Sequence, residues 1–139
     1  MTDPNSPSSN PSIWPTLIYA DARAAIAFLE TAFGFETKLV VPNESDDSVV
    51  EHCQMSGPEG GGIMLGTANR PDNKFSQRPT GASSVYVVTS DPDALYDRAV
   101  AAGAEVFHEL EDQDYGSRDF SIKDFEGNIW SFGTYTGEG

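Results

Sequence analysis

Cysteine, basic residues and long apolar runs are all scarce in this 139-residue sequence. The single cysteine, Cys53, cannot form a disulfide within the chain and cannot complete a cysteine-based zinc cluster by itself. The longest apolar runs fall far short of the roughly 18 residues that a membrane-spanning helix needs. The N-terminus shows no basic flank followed by an apolar run, as a secretion signal would. We therefore expect a cytoplasmic protein that does not cross a membrane.

The shortage of basic residues restricts the partners that the chain can bind. Eight lysines and arginines stand against 22 aspartates and glutamates, which gives a formal net charge of −14 at pH 7. Because nucleic acids and anionic membranes are bound by clustered lysine and arginine, we expect neither as a partner. The surplus of acid has two interpretations: a solvated surface that keeps the protein soluble, or a field that attracts a cationic ligand.

The composition divides the chain into a tail and one domain. Residues 1–12 are rich in proline, serine and asparagine and almost free of apolar side chains, so we predict a flexible N-terminal tail. Residues 13–136 have the length and the apolar content of one domain. Two halves of this domain, about residues 13–70 and 82–136, are expected to be similar modules.

The two halves carry the same order of patterns. Each begins with a short apolar strand, continues with an aspartate cap and an amphipathic helix, and ends that helix at a glycine, Gly34 or Gly103. Three further strands follow in each half. We predict an α+β fold of two tandem βαβββ modules, in which each sheet is covered by a helix on one face and the other faces enclose a cleft. The predicted helices span residues 22–33 and 93–102, and the predicted strands span residues 14–19, 35–41, 49–55, 62–66, 84–89, 105–110, 119–123 and 129–135.

Two segments resemble a known group of proteins. Residues 21–35 resemble the first helix, and residues 115–133 the C-terminal hairpin, of the vicinal oxygen chelate superfamily. This superfamily includes glyoxalase I, extradiol dioxygenases, fosfomycin resistance enzymes and bleomycin resistance proteins. The similarity extends over residues 13–136 and is greatest to the PhnB-like and bleomycin-resistance-like members. It implies paired curved sheets around a cleft.

The resemblance also implies where a metal ion would be held. Metal-using members place histidine, glutamine or glutamate on the first and last strand of each module. The matching positions here are Trp14, Met64, Ser84 and Ser131. Indole and thioether groups cannot replace hard oxygen and nitrogen ligands, so we predict no metal, no other cofactor and no catalytic residue of the usual kind.

Without a metal, the cleft is expected to be an apolar and aromatic pocket with a few polar groups. Strand alternation adds neighbours of the four positions, and a neighbouring strand brings in one histidine. Arg118, at the entry of a strand, has two interpretations: it binds an anionic ligand group, or it ties down the acidic loop before it. The predicted ligand-binding residues are Trp14, Thr16, His52, Met64, Ser84, Tyr86, Arg118 and Ser131.

These observations leave three hypotheses for function. The first is a metal-independent small-molecule-binding protein that sequesters a cationic or aromatic compound and, as the resemblance implies, forms a homodimer with clefts at its interface. The second is a glyoxalase-like lyase, isomerase or dioxygenase with a relocated site in which His52 or Glu51 is the base. The third is a domain retained for contact with a partner protein.

Overall fold

The computed structural model of the chain describes residues 10–139, and residues 1–9 of the predicted tail lie outside the described residues. Within this range the fold has two helices, eight strands and a short 3₁₀ turn at Lys74–Ser76. The first module contains β1 (Thr16–Tyr19), α1 (Ala22–Phe33), β2 (Glu36–Pro42), β3 (Val50–Ser56) and β4 (Gly62–Thr67). The second contains β5 (Ser84–Val88), α2 (Pro92–Ala101), β6 (Glu105–Asp112), β7 (Arg118–Lys123) and β8 (Ile129–Gly133).

Both helices begin at the aspartate caps predicted for them. The Asp21 carboxylate accepts a hydrogen bond from the Ala24 amide at 3.0 Å, and the Asp91 carboxylate accepts one from the Ala94 amide at 3.1 Å. Pro92 stands at the first position of α2, where its missing amide hydrogen costs nothing. The face of α1 that was predicted to be apolar is buried throughout, and its residues are Ala22, Ala25, Ile26, Leu29, Ala32 and Phe33.

Each module forms its own four-stranded sheet with the same strand order. The first sheet runs β1-β4-β3-β2 and the second runs β5-β8-β7-β6. The first and last strands of each module pair in parallel, and the other neighbours pair antiparallel. The predicted α+β fold of two tandem βαβββ modules is therefore confirmed.

The first and last strands of the chain, β1 and β8, are each two residues shorter than predicted from the sequence. Pro15 has no amide hydrogen to donate, so only its carbonyl joins the ladder, by accepting from the Met64 amide at 2.9 Å. At the other end, the Thr134 amide still donates to the Arg118 carbonyl on β7 at 3.2 Å, but the next amide, of Tyr135, donates to the Ser117 hydroxyl instead, also at 3.2 Å. The apolar pattern continues past both strands, but their ladder partners do not.

One aromatic core joins the two modules. The ring of Phe33, at the end of α1, has its centroid 5.4 Å from that of Trp130 and 4.6 Å from that of Phe132, both on β8. All three rings are fully buried. Arg98 on α2 donates two hydrogen bonds to carbonyls in the last turn of α1, which holds the helices together. The helix-covered faces of the two sheets therefore share this core, and each sheet keeps one face without a helix.

A buried carboxylate fastens the first strand to the second module. Asp124, in the turn between β7 and β8, accepts hydrogen bonds from the Tyr19 hydroxyl at 2.7 Å, the Trp130 indole at 3.1 Å and the Asn128 side-chain amide at 3.0 Å. Burial and, next, the nearby Asp124 charge raise the pKa of Tyr19, so its hydroxyl keeps the proton that it donates. The contact spans the two modules because Tyr19 lies on β1.

We predict that Asp124→Asn lowers the free energy of unfolding by about 3 kcal/mol. The carboxylate accepts three hydrogen bonds at Oδ2 and two more at Oδ1, from the Glu126 and Asn128 amides, whereas the new amide has one oxygen and sets its own hydrogens against the other donors. Urea denaturation followed by tryptophan fluorescence measures this change. Asp114→Asn is the matched control on an exposed loop, with an expected change below about 0.5 kcal/mol. Equal stability of the two variants would contradict a structural role for the Asp124 contacts.

Candidate functional site

The face of the first sheet that α1 does not cover, called here the first open face, is built from alternate residues of its four strands. Across the ladder, Thr16 pairs with Met64, Met64 with Gln54, and Gln54 with Leu39. A neighbouring row contains Ile18 paired with Gly66 on β4, and His52 paired with Val41 on β2. Residues between these positions, such as Leu17, Cys53 and Leu65, are buried on the helix side.

A pocket of about 260 Å³ opens on the first open face. Three of the predicted ligand-binding residues line it: Thr16, His52 and Met64. Thr16, chosen by strand alternation, therefore lies in one depression with Met64, chosen by the resemblance, and with His52 of a neighbouring strand. Four further side chains that give the pocket its chemistry are Glu51, Arg70, Phe75 and Arg78.

Arg70 forms one wall of this pocket and is itself held in place. Its Nη1 donates to Glu51 Oε2 at 3.0 Å, and its Nε donates to the Thr67 carbonyl at 2.8 Å. The guanidinium lies over Gly66, where an added Cβ would stand 3.1 Å from Arg70 Nη2. The hydrogen bond from Arg70 and, next, the one from Asn43 hold the pKa of Glu51 below its usual value, so this carboxylate stays ionised.

Phe75 and Arg78 complete the rim, and the sequence patterns did not identify them. Arg78 Nη2 donates to the Thr16 carbonyl at 2.9 Å, on the free edge of β1. The ring of Phe75 is 73% exposed, although it belongs to a well-bonded turn. Both residues lie in the connection between the modules, which has neither helical nor strand periodicity. One signal was available: three of the eight basic residues fall at positions 70, 74 and 78.

The corresponding face of the second sheet, called here the second open face, holds other predicted residues. Tyr86 pairs with Ser131, whose hydroxyl lies 2.7 Å from that of Ser121 on β7. The Tyr86 hydroxyl donates to the Tyr135 carbonyl at 2.7 Å. The Tyr86 hydroxyl passes close to the backbone of Gly133, and a Cβ at position 133 would lie only 2.7 Å from it. Position 133 therefore requires a residue without a side chain. Exposed Ser84 begins β5 on the same face.

The predicted ligand-binding residues are thus divided between the two open faces of the chain. Thr16, His52 and Met64 line the pocket of the first open face, and that lining contains none of Ser84, Tyr86 and Ser131. The first and last strands of each module, on which metal-using relatives carry their ligands, do lie side by side. The chain's own core separates the two groups, because it binds the helix-covered faces together.

Trp14 and Arg118 lie outside the pocket lining, although Gly62, which Trp14 covers, alternates with Met64 on the first open face. Trp14 folds over Gly62, with its Nε1 donating to the Pro11 carbonyl at 3.1 Å. Arg118 forms ion pairs with Asp93 at 2.7 Å and with Asp112 at 3.2 Å, which tie the start of β7 to α2 and to the end of β6. Its guanidinium therefore already engages carboxylates of the protein.

The remaining ionisable side chains of interest are poorly placed for chemistry. Cys53 is fully buried, and burial raises the pKa of its thiol to about 11, so it is not a ready nucleophile. His108 forms a hydrogen bond with Glu111 on the exposed part of β6, with 2.8 Å between His108 Nε2 and Glu111 Oε1. Neither residue lines the pocket of the first open face.

The described side chains do not fit the divalent metal site that the resemblance implies. In residues 10–139 no group of three or more histidine, cysteine, aspartate and glutamate side chains is placed to hold a metal ion. The four positions expected to carry ligands hold an indole, a thioether and two hydroxyls, at Trp14, Met64, Ser84 and Ser131.

Among the described residues, no helix combines the length and apolar character that crossing a bilayer requires.

Residues 13–132 match the Glyoxalase/Bleomycin resistance protein/Dioxygenase superfamily. The chain belongs to this superfamily. The resemblance inferred from residues 21–35 and 115–133 is therefore confirmed. An uncharacterized protein of Mycobacterium tuberculosis is 28% identical over 132 residues, which cover 88% of this chain and 74% of that protein.

Two solved structures share the fold of this chain. The crystal structure of TioX from Micromonospora sp. ML1 has a TM-score of 0.75 and 27% sequence identity, covering 89% of this chain and 98% of TioX. The fosfomycin resistance protein FosX from Listeria monocytogenes, solved with Mn(II) and sulfate, has a TM-score of 0.61 and 17% identity, covering 91% and 93% of the two chains. At that identity, FosX is similar in fold alone.

We predict that Arg70→Gln raises the pKa of Glu51 toward its usual value, because the largest cause of the lowering is the hydrogen bond from Arg70. Carboxyl carbon NMR of the glutamates as a function of pH measures it. Folding lowers the pKa of Glu51, so the ionised carboxylate stabilises the folded state at pH values above its ordinary pKa. This stabilisation is lost as the pH falls through the lowered pKa of the folded protein. Arg78→Gln, the control, leaves Glu51 unchanged; an unshifted Glu51 in Arg70→Gln would contradict the assignment.

Proposed function

We propose that this chain is a metal-independent small-molecule-binding protein that sequesters an aromatic compound in the pocket of the first open face. The observation that carries the proposal is this pocket of about 260 Å³, which lies on the strands where metal-using relatives are expected to hold their ion. Its lining combines apolar side chains with a few fixed polar groups, as small-molecule sites do. The net charge favours a cationic compound at long range, and Phe75 and Met64 favour an aromatic one at contact distance.

A homodimer is part of the same proposal. Large apolar side chains are exposed on both open faces, including Leu39 at 46% and Val41 at 42% on the first, and Tyr86 at 46% on the second. Exposed apolar side chains gathered on one face are typical of interaction surfaces. A second copy that laid its second open face on the first open face of its partner would cover these residues. It would also bring Tyr86 and Ser131 toward the pocket.

Location in the cytoplasm fits a reduced, buried Cys53 and the absence of any disulfide partner in the sequence. We propose it together with the binding function.

A second candidate function is a glyoxalase-like lyase, isomerase or dioxygenase with a relocated site. The observation that favours it is the position of His52, which lines the pocket beside Glu51. Because Arg70 and Asn43 keep Glu51 ionised, that carboxylate is a weak base, and His52 is the better group for moving a proton. In this second function a metal ion would need ligands other than the four expected positions.

Metal analysis separates the two functions. For protein purified without chelators and without a nickel column, we predict less than about 0.1 equivalent of any transition metal per chain, because the open faces do not offer a converging set of hard ligands. Inductively coupled plasma mass spectrometry measures the metal content. Stoichiometric zinc, iron, nickel or manganese that survives dialysis would contradict the binding-only function.

A charged residue on the first open face is expected to disrupt the dimer. We predict that the unmodified chain has twice its 15.0 kDa mass in solution and that Leu39→Lys reduces it to one chain mass. Light scattering after size exclusion measures both. Val100→Lys is the control, since Val100 is 43% exposed but lies on α2, away from both open faces. A monomeric unmodified chain, or equal disruption by the two variants, would contradict the proposed interface.

A further inference from the structure

The charge inside the pocket differs from the charge of the whole chain. The chain carries −14, yet its pocket is lined by two arginines, Arg70 and Arg78, and by one acidic residue, Glu51. Glu51 and Arg70 form an ion pair at 3.0 Å, which leaves the positive charge of Arg78 in excess. At physiological ionic strength the screening length is about 8 Å, so distant surface acids act weakly on a ligand inside the pocket.

Arg78 is held at the rim without an acidic partner among residues 10–139. No carboxylate in the described part of the chain lies within 4.0 Å of its guanidinium, whereas Arg23 and Arg70 each have one and Arg118 has two. Its Nη2 donates to the Thr16 carbonyl at 2.9 Å, which fixes the position of the planar group. Its remaining N–H donors are then available to an oxyanion, which a guanidinium binds in a fork geometry.

Phe75 stands near Arg78 on a turn that holds its exposed ring in a fixed place. The Asn73 side chain accepts from the Ser76 amide at 3.0 Å, and the buried Ser76 hydroxyl donates to the Asn73 carbonyl at 2.9 Å. The same hydroxyl accepts from the Arg70 amide at 3.0 Å. A ring that is 73% exposed on such a well-bonded turn presents a flat apolar surface to a ligand at the pocket rim.

The two features together define the chemistry of the ligand. Phe75, with Met64 and Ile18 deeper in the pocket, fits a flat apolar body, and Arg78 fits a single negative charge at one end. One unpaired guanidinium matches a monoanion better than a doubly charged phosphate ester. We propose that the pocket of the first open face selects aromatic compounds with one carboxylate group, and that Arg78 sets this selectivity. This inference rests on the proposed binding function and gives its ligand class.

Three probes with the same ring system test the inference: 2-naphthoate, 2-naphthamide and 2-naphthylmethylammonium. Their head groups are an anion, a neutral isostere and a cation. Isothermal titration calorimetry of the full chain, at physiological salt and with EDTA, is expected to give naphthoate an affinity about tenfold higher than that of naphthamide, and the ammonium the lowest affinity.

Two variants assign the selectivity to its residue. Arg78→Gln is expected to weaken naphthoate about tenfold and to change naphthamide by less than about twofold, because only the anion loses a charged partner. Lys38→Gln, the control, removes one positive charge from β2, at the opposite edge of the first sheet and outside this pocket lining, and is expected to change naphthoate by less than about twofold. Circular dichroism melting verifies that both variants are folded.

The outcomes distinguish a failure of the proposed carboxylate selectivity from a failure of the proposed binding function. If naphthoate does not bind more tightly than the other two probes, or if Lys38→Gln weakens it as much as Arg78→Gln does, the carboxylate selectivity is refuted while pocket binding stands. If none of the three probes binds the unmodified chain, both the selectivity and the proposed binding of an aromatic compound are refuted.

Discussion

The packing of Phe33 against Trp130 and Phe132 is the contact on which the arrangement of the molecule depends. It merges the helix-covered faces of two separate sheets into one core, and burying this much aromatic surface stabilises the chain more than any of its surface ion pairs can. Arg98 and Asp124 add directional contacts between the same modules. Since both helices are committed to this core, both open faces are left for a ligand, a partner copy or solvent. The candidate site is a consequence of that arrangement, because its pocket is formed on a face that the core cannot use.

Periodic patterns predicted most of the fold, and their limits are physical. The caps Asp21 and Asp91 and the glycines after each helix fixed the helices to within one residue, because capping is a local hydrogen-bonding requirement. The predicted strand at residues 14–19 began too early. Apolar character continues through Trp14, whereas the ladder depends on amide hydrogens that Pro15 lacks. Thr16, His52 and Met64 do line one pocket: Thr16 was selected by strand alternation, Met64 by the resemblance and His52 by its position on a neighbouring strand. Strand alternation was not enough to separate the two open faces, since this division is made by the long-range contacts of Phe33.

The residues that give the pocket its chemistry were the hardest to find in the sequence. Arg70, Phe75 and Arg78 lie in a non-periodic connection, and their approach to β1 is set by hydrogen bonds such as that from Arg78 to the Thr16 carbonyl. The net charge of the chain favoured a cationic ligand, because a sum over all residues does not show where the individual charges lie in the fold. In the folded chain the acids lie largely on exposed loops and strand ends, where water and salt screen them. The pocket is lined by Arg78, which has no acidic partner within the described residues. Global composition is thus a guide to solubility and partner class, and the lining of the pocket is the better guide to its ligand.

The most direct test of the account is to map where a small aromatic molecule binds when metal ions are removed. Backbone amide NMR spectra of isotope-labelled protein in excess EDTA, recorded during titration with 2-naphthoate, would locate the contact residue by residue. The account predicts saturable shifts centred on Thr16, His52, Met64 and Phe75, with little change along α1. Shifts confined to other parts of the chain, or binding that appears only after a divalent metal is added back, would contradict it.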